Sequence, residues 1–179
     1  MSFPIGREKP LFRSVGGWQD KLASGWSLSG IETLESGFPF TPQLGFNPTN
    51  NGDSRNPIRP SWNPNFTGPV ILGNQNGYFN ANAFIVPASG TYGNVSRDSL
   101  TGPALAQLDL ALSKTTAIVG KARLQFRAEV FNVLNHTNFA TPNTVAFSSA
   151  TSSPSPTAGV ITATSTSSRQ IQLGLKLLF

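Results

Sequence analysis

Hydrophobic and polar residues alternate with a period of two in four stretches of this chain. That is the pattern of a strand whose two faces meet different surroundings. In RQIQLGLKLLF, Ile171, Leu173, Leu175, Leu177 and Phe179 share one face and Gln170, Gln172, Gly174 and Lys176 the other; only Leu178 breaks the rule. In KARLQFRAEVFNVL, Ala122, Leu124, Phe126, Ala128 and Val130 oppose Lys121, Arg123, Gln125, Arg127 and Glu129, until Phe131 and Val133 fall on the polar side. In ALAQLDLALSK, Ala106, Leu108, Leu110 and Leu112 oppose Gln107, Asp109, Ala111 and Ser113. The earliest run, LASGWSLSGIETLE, is less regular: Trp26, Leu28 and Leu34 share a parity with Glu32, and Ile31 lies opposite. Apolar positions 124, 126, 128 and 130 do not follow the i, i+3, i+4 spacing of a helix. The pattern therefore predicts strands over 22–36, 104–114, 121–133 and 169–179.

The connections alternate in length. Residues 37–103 and 135–168 are long, the first rich in Gly, Pro and Asn, the second holding the low-complexity run TSSPSPTAGVITATSTSS; residues 115–120 are short. Long external loops and short periplasmic turns are the rhythm of an outer-membrane barrel. A tilted membrane-crossing strand needs about 9–11 residues, which each run supplies. With the last strand running inward to the periplasm, 121–133 runs outward, 104–114 inward and 22–36 outward, leaving 7–21 in the periplasm. The expected fold is all-β: an antiparallel meander of about four long strands, the C-terminal portion of a transmembrane β-barrel, with long irregular external loops. Leu108, Leu110, Leu112, Leu124, Phe126, Ala128 and Val130 would face lipid, and Asp109, Arg123, Arg127 and Glu129 the lumen. A six-residue turn would set Asp109 opposite or diagonal to Arg127. The alternative is a soluble, carbohydrate-binding β-sandwich, in which the same alternation faces a core. Sandwich strands are commonly shorter, about 5–6 residues, and their solvent faces carry more charge than Gln107, Asp109, Ala111 and Ser113 do.

Composition narrows the function classes. The chain has 179 residues, of which only 12% are charged, with a net charge of +5. The basic residues are scattered rather than clustered, so the charge reflects a shortage of acids and not a nucleic-acid patch. There is no cysteine, hence no disulfide framework or thiolate metal site. The N-terminal MSFPIGREKPLF has no apolar run of about 7–15 residues and does not read as a signal peptide. No stretch of about 18 apolar residues suggests a transmembrane helix. His136 is the one histidine, without a second ligand or nucleophile near it in sequence, and none of the eight acids forms a motif. NNGDSRNP (50–57) reads as a turn, not a calcium loop. The aromatic residues of FPFTP and YFNANAF either line a ligand vestibule or pack a loop; loop packing is the favoured reading. No catalytic, cofactor-binding or metal residue is expected, and the chain is not read as an enzyme.

Several motifs, in order, carry a resemblance. FPIGREKPLF…GWQDKLASGWSLSGIETLESGFPFTP, YFNANAF, GTYGNVSRDSLTGPALAQLDLALSK, LQFRAEVFNVLNHTNF and the terminal RQIQLGLKLLF together resemble the late barrel of TonB-dependent receptors of the Oar-like class. They cover about half the chain. The resemblance implies a plugged barrel of about 22 strands in the cell outer membrane and energised uptake of large nutrients. It implies outer-membrane lipid, the remainder of the barrel and its plug, and the barrel-assembly machinery as partners. It also implies that Ile171, Leu173, Leu175, Leu177 and Phe179 form the assembly signal. Nothing in this sequence reads as the family's signal peptide, plug, TonB box or carboxypeptidase-regulatory-like domain. The chain is thus expected to be a wall segment that cannot transport alone, with Met1 an internal or misassigned start. A chain contributing strands to an oligomeric outer-membrane barrel is the other membrane reading.

Overall fold

The computed structural model of the chain describes residues 2–5, 24–53 and 56–179, of which the first four are described by backbone pairing alone. The predicted periplasmic connection at 7–21 and the start of the first predicted strand lie outside these residues. The chain divides into two compact units: a strand unit (Met1–Leu34, Ala106–Thr137, Ser167–Phe179) and a loop unit (Glu35–Leu105, Asn138–Thr166).

The strand unit is one five-stranded sheet whose spatial order follows chain order. Its strands are β1 (Ser2–Ile5), β2 (Trp26–Glu35), β3 (Leu105–Ala117), β4 (Arg123–Phe131) and β5 (Gln170–Leu178). The β1–β2, β3–β4 and β4–β5 pairs are antiparallel. Between β2 and β3, Thr115 N–H donates to Gly25 O at 2.9 Å and Ser29 Oγ to Ala111 O at 3.4 Å, so rising numbers on one strand meet falling numbers on the other. Such a meander needs only local connections. Both long connections, after β2 and after β4, leave the same end of the sheet, and the short turn closes the other. β1 was not read from the sequence; it is four residues long.

One boundary differs in a way that matters. β3 runs to Ala117, three residues past its predicted end, because Thr115 and Thr116 are good strand residues although they interrupt the hydrophobic contrast. The turn is therefore 118–122, closed by Ile118 N–H to Ala122 O (3.0 Å) and Ala122 N–H to Val119 O (2.9 Å), with Gly120 at φ 58°. The turn thus begins three residues and ends two residues later than predicted, which moves every cross-strand partner. Arg127 stands opposite Ser113, not Asp109, and the expected Asp109–Arg127 pair does not form.

The loop unit draws on both long connections. Four two-stranded ribbons hold it: Pro39–Phe40 with Leu100–Thr101, Gln43–Leu44 with Val145–Phe147, Ser61–Trp62 with Phe84–Ile85, and Ile71–Asn74 with Gly77–Phe79. A 3-10 turn, Ala81–Ala83, is capped by the Asn80 side chain, which accepts from Asn82 N–H. Phe40, Leu44, Ile58, Tyr78, Phe79, Phe84, Val95, Leu100, Phe147 and Ile161 are buried in one core. Phe79 meets Phe84 edge-on at 6.0 Å and Phe40 at 5.9 Å. Each such side chain contributes about 1.5–3 kcal/mol by leaving water. Tyr78 donates its hydroxyl to Thr101 O at 3.1 Å, and burial pushes its phenol above the usual range. The aromatic residues of FPFTP and YFNANAF thus pack the loop unit, Phe38 excepted, which is exposed.

Candidate functional site

Register decides which side chains share a face, because residues directly opposite in an antiparallel ladder project to the same side. Across β3, β4 and β5 the rows are Leu110–Val130–Ile171, Leu112–Ala128–Leu173, Lys114–Phe126–Leu175 and Thr116–Leu124–Leu177. Leu108 has the same parity. The other side carries Ala111–Glu129–Gln172, Ser113–Arg127–Gly174, Thr115–Gln125–Lys176 and Ala117–Arg123–Leu178, with Asp109 on that parity. One face is thus aliphatic over most of its area and the other polar. Ile171, Leu173 and Leu175 on β5 are 68–70% exposed, and Phe179 just beyond it 95%. In water, an exposed apolar edge strand of this kind would be an aggregation site.

Lys114 is the cation on the apolar face, and the sequence reading assigned it no role. Its Nζ sits 4.8 Å from the centre of the Trp26 ring and donates to Ser24 O at 3.0 Å. The pair lies toward the short-turn end of the sheet. A long amphipathic cation beside a tryptophan suits the level where a bilayer passes from hydrocarbon to headgroups. The signal was present in the sequence as a lysine on the parity of Leu108, Leu110 and Leu112.

On the polar face Arg127 Nη2 and Glu129 Oε1 form an ion pair at 2.6 Å. Arg127 is more than half exposed, so the pair contributes little, roughly 0–1 kcal/mol. Asp109 instead accepts from Gln107 Nε2 at 2.9 and 3.0 Å and from Asn132 N–H at 2.8 Å.

Asn132 is the centre of a polar knot where β4 ends. It is 2% exposed and has φ 50°, a left-handed conformation that Asn tolerates better than most residues. Its Nδ2 donates to His136 O (2.9 Å) and Ser167 O (3.1 Å), and its Oδ1 accepts from His136 N–H (2.9 Å). Nearby, Asn135 Oδ1 accepts from Arg169 N–H at 3.0 Å, and Arg169 Nη1 donates to Val133 O at 3.3 Å. His136 thus joins the knot through its backbone. Among the described residues no group of three or more His, Cys, Asp or Glu could hold a metal ion. No helix among them is long and apolar enough to cross a membrane.

A family model described as an outer membrane beta barrel domain matches residues 1–172. The chain belongs to this family. An outer membrane β-barrel domain crosses its bilayer with strands, which accounts for an all-β sheet with long strands and one aliphatic face. It places the chain in the cell outer membrane, in association with lipid. No curated protein and no solved structure gives a significant match.

Proposed function

We propose that this barrel segment is part of the wall of a TonB-dependent receptor of the Oar-like class. The observation that carries the wall reading is the open sheet. β1 and β5 are its two edges, and in lipid an unpaired edge leaves backbone groups with no water to satisfy them. The sheet must be continued by further strands. The TonB-dependent class rests on the ordered motifs from GWSLSG to RQIQLGLKLLF. In this reading Leu108, Leu110, Leu112, Leu124, Phe126, Ala128 and Val130 face lipid, and Asp109, Arg123, Arg127 and Glu129 face the lumen. Partners are the remainder of the barrel, the plug and the barrel-assembly machinery. The segment is not an enzyme, holds no cofactor and does not transport by itself.

The test is an antibody against the loop unit applied to outer membranes of cells that carry the gene. The expected result is one heat-modifiable polypeptide far larger than the 19.0 kDa of this chain, retained by the periplasmic domain of TonB. A 19.0 kDa species in heat-modifiable oligomers would instead support a barrel assembled from several chains. A monodisperse 19.0 kDa protein in detergent-free buffer would overturn the membrane reading.

The assembly role assigned to Ile171, Leu173, Leu175, Leu177 and Phe179 has its own test. In the full receptor, deleting Phe179 or changing Leu175 to Ser should lower the inserted amount severalfold, whereas Gln172→Ser should leave it unchanged. Normal insertion of all three variants would remove that role.

A further inference from the structure

The loop unit holds a polar cleft of about 510 Å³, lined by Thr41 and Gln43, by Asn51 and Asp53, by residues 56–59, and by residues 92–93 and 97–98. That volume lies within the ~300–1,000 Å³ usual for small-molecule sites. Its walls are fixed to one another. Thr41 Oγ1 accepts from Asp98 N–H at 2.7 Å and so holds Asp98 at φ 53°, a left-handed conformation that needs support. Asn51 Nδ2 donates to the Tyr92 hydroxyl at 2.9 Å. Gly93 lies so close to the 59–60 backbone that a Cβ there would come within 2.1 Å of Arg59 O, and Val95 N–H donates to Pro60 O at 3.2 Å. A cleft held in this way needs little reorganisation to bind.

The hydrogen-bonding capacity of the lining is unevenly used. The carboxylates are engaged from within the loop: Asp53 accepts from the Asn56 backbone and side chain, and Asp98 Oδ1 accepts from Thr41 Oγ1. Arg59 and Arg97 also line the cleft, and among the described residues neither guanidinium has a hydrogen-bond or ion-pair partner. A guanidinium is always charged, carries five donors and accepts nothing. The cleft thus presents unfilled donors of positive charge. Tyr92 is 65% exposed and tethered through its hydroxyl, which leaves an aromatic surface at the same site.

We infer that this cleft binds an acidic saccharide: the carboxylate or phosphate is held by Arg59 and Arg97, a sugar ring packs on Tyr92, and Asn51 and Gln43 meet hydroxyls. The inference stands whether or not the barrel belongs to a TonB-dependent receptor. The acidic saccharide is either free or the glycan of a lipid.

The experiment is titration calorimetry on the protein purified from outer membranes in detergent. The probes are trigalacturonate, the neutral galactotriose, and a detergent-dispersed lipopolysaccharide with phosphorylated sugars. Trigalacturonate should bind at least tenfold more tightly than galactotriose, and the difference should shrink as salt is raised. Arg97→Gln, at an exposed position, should weaken that binding about tenfold, and Arg59→Gln with Arg97→Gln more strongly, as expected for lost charge-assisted hydrogen bonds. Tyr92→Ala should weaken both trisaccharides, and Lys121→Gln, in the short turn, neither. Binding of the lipopolysaccharide alone, with the same sensitivity to Arg97→Gln, identifies the lipid-linked source. Measurable and equal affinity for the two trisaccharides, indifference of every bound probe to Arg97→Gln, or binding of no probe overturns the inference.

Discussion

Replacing Leu110 with arginine should lower the stability of the membrane-embedded barrel by about 2–4 kcal/mol, while Gln172→Arg should change it by less than about 1 kcal/mol. Leu110 stands four residues from Lys114 along β3, about 13 Å at the usual rise per residue. If Lys114 and Trp26 mark one interface, Leu110 is near the middle of an apolar band about 25 Å tall, where a guanidinium is costliest. Its row, with Val130 and Ile171, offers no acceptor. Gln172 occupies the opposite face beside Glu129, where an added cation gains a partner. Urea unfolding of the full barrel in lipid vesicles, followed by tryptophan fluorescence, gives both values. Equal costs for the two substitutions would mean that lipid does not lie where the aliphatic rows place it. A larger cost for Gln172→Arg would invert the faces.

Asn132→Ala should destabilise the same barrel by about 2–4 kcal/mol. The change removes three side-chain hydrogen bonds and leaves the carbonyls of His136 and Ser167 and the amide of His136 short of partners. Buried groups left unsatisfied cost about 1–3 kcal/mol each before relaxation or water entry. Alanine also tolerates φ 50° poorly, by roughly 1–2 kcal/mol. Asn132→Gly separates the two effects, since it relieves the backbone while still losing the bonds, and should be less damaging by about that amount. The readout is the unfolding midpoint in the same vesicles. A loss below about 0.5 kcal/mol for Asn132→Ala would show that the knot does not hold β4 to the start of β5.

The long strands were legible because their two faces meet different surroundings, and period-two alternation survives even where one face looks toward lipid. What the alternation could not supply was the end of β3. Thr115, Thr116 and Ala117 carry little hydrophobic contrast, so the strand was cut three residues short and the hairpin register was set wrong. Lys114 was legible only as a break in the pattern; its contact with Trp26 needs the neighbouring strand. The loop unit was opaque for a different reason. Its ribbons are two to four residues long, too short to show a period. Its core is made of single apolar residues scattered among Gly, Pro and Asn, such as Ile58, Val95 and Ile161. Within NNGDSRNP, Asn51 Oδ1 accepts from Asp53 N–H and Asp53 from the Asn56 backbone, but nothing local announces that Arg59 and Arg97 line a cleft with them.

The sharing of one core by two loops bears on how such proteins diversify. Phe147 pairs beside Leu44, and Gly45 N–H donates to Phe147 O at 2.8 Å, so the second loop completes what the first begins. Loops are ordinarily the parts of a barrel most freely exchanged between relatives. Here, recombination that imports 35–105 without its matching 138–166 strips Phe147 and Ile161 from the core and leaves Phe40, Leu44 and Phe79 uncovered. The two segments, separated by a hairpin of barrel wall, are therefore expected to be inherited together, and any change of ligand specificity in the cleft must evolve within that joint constraint.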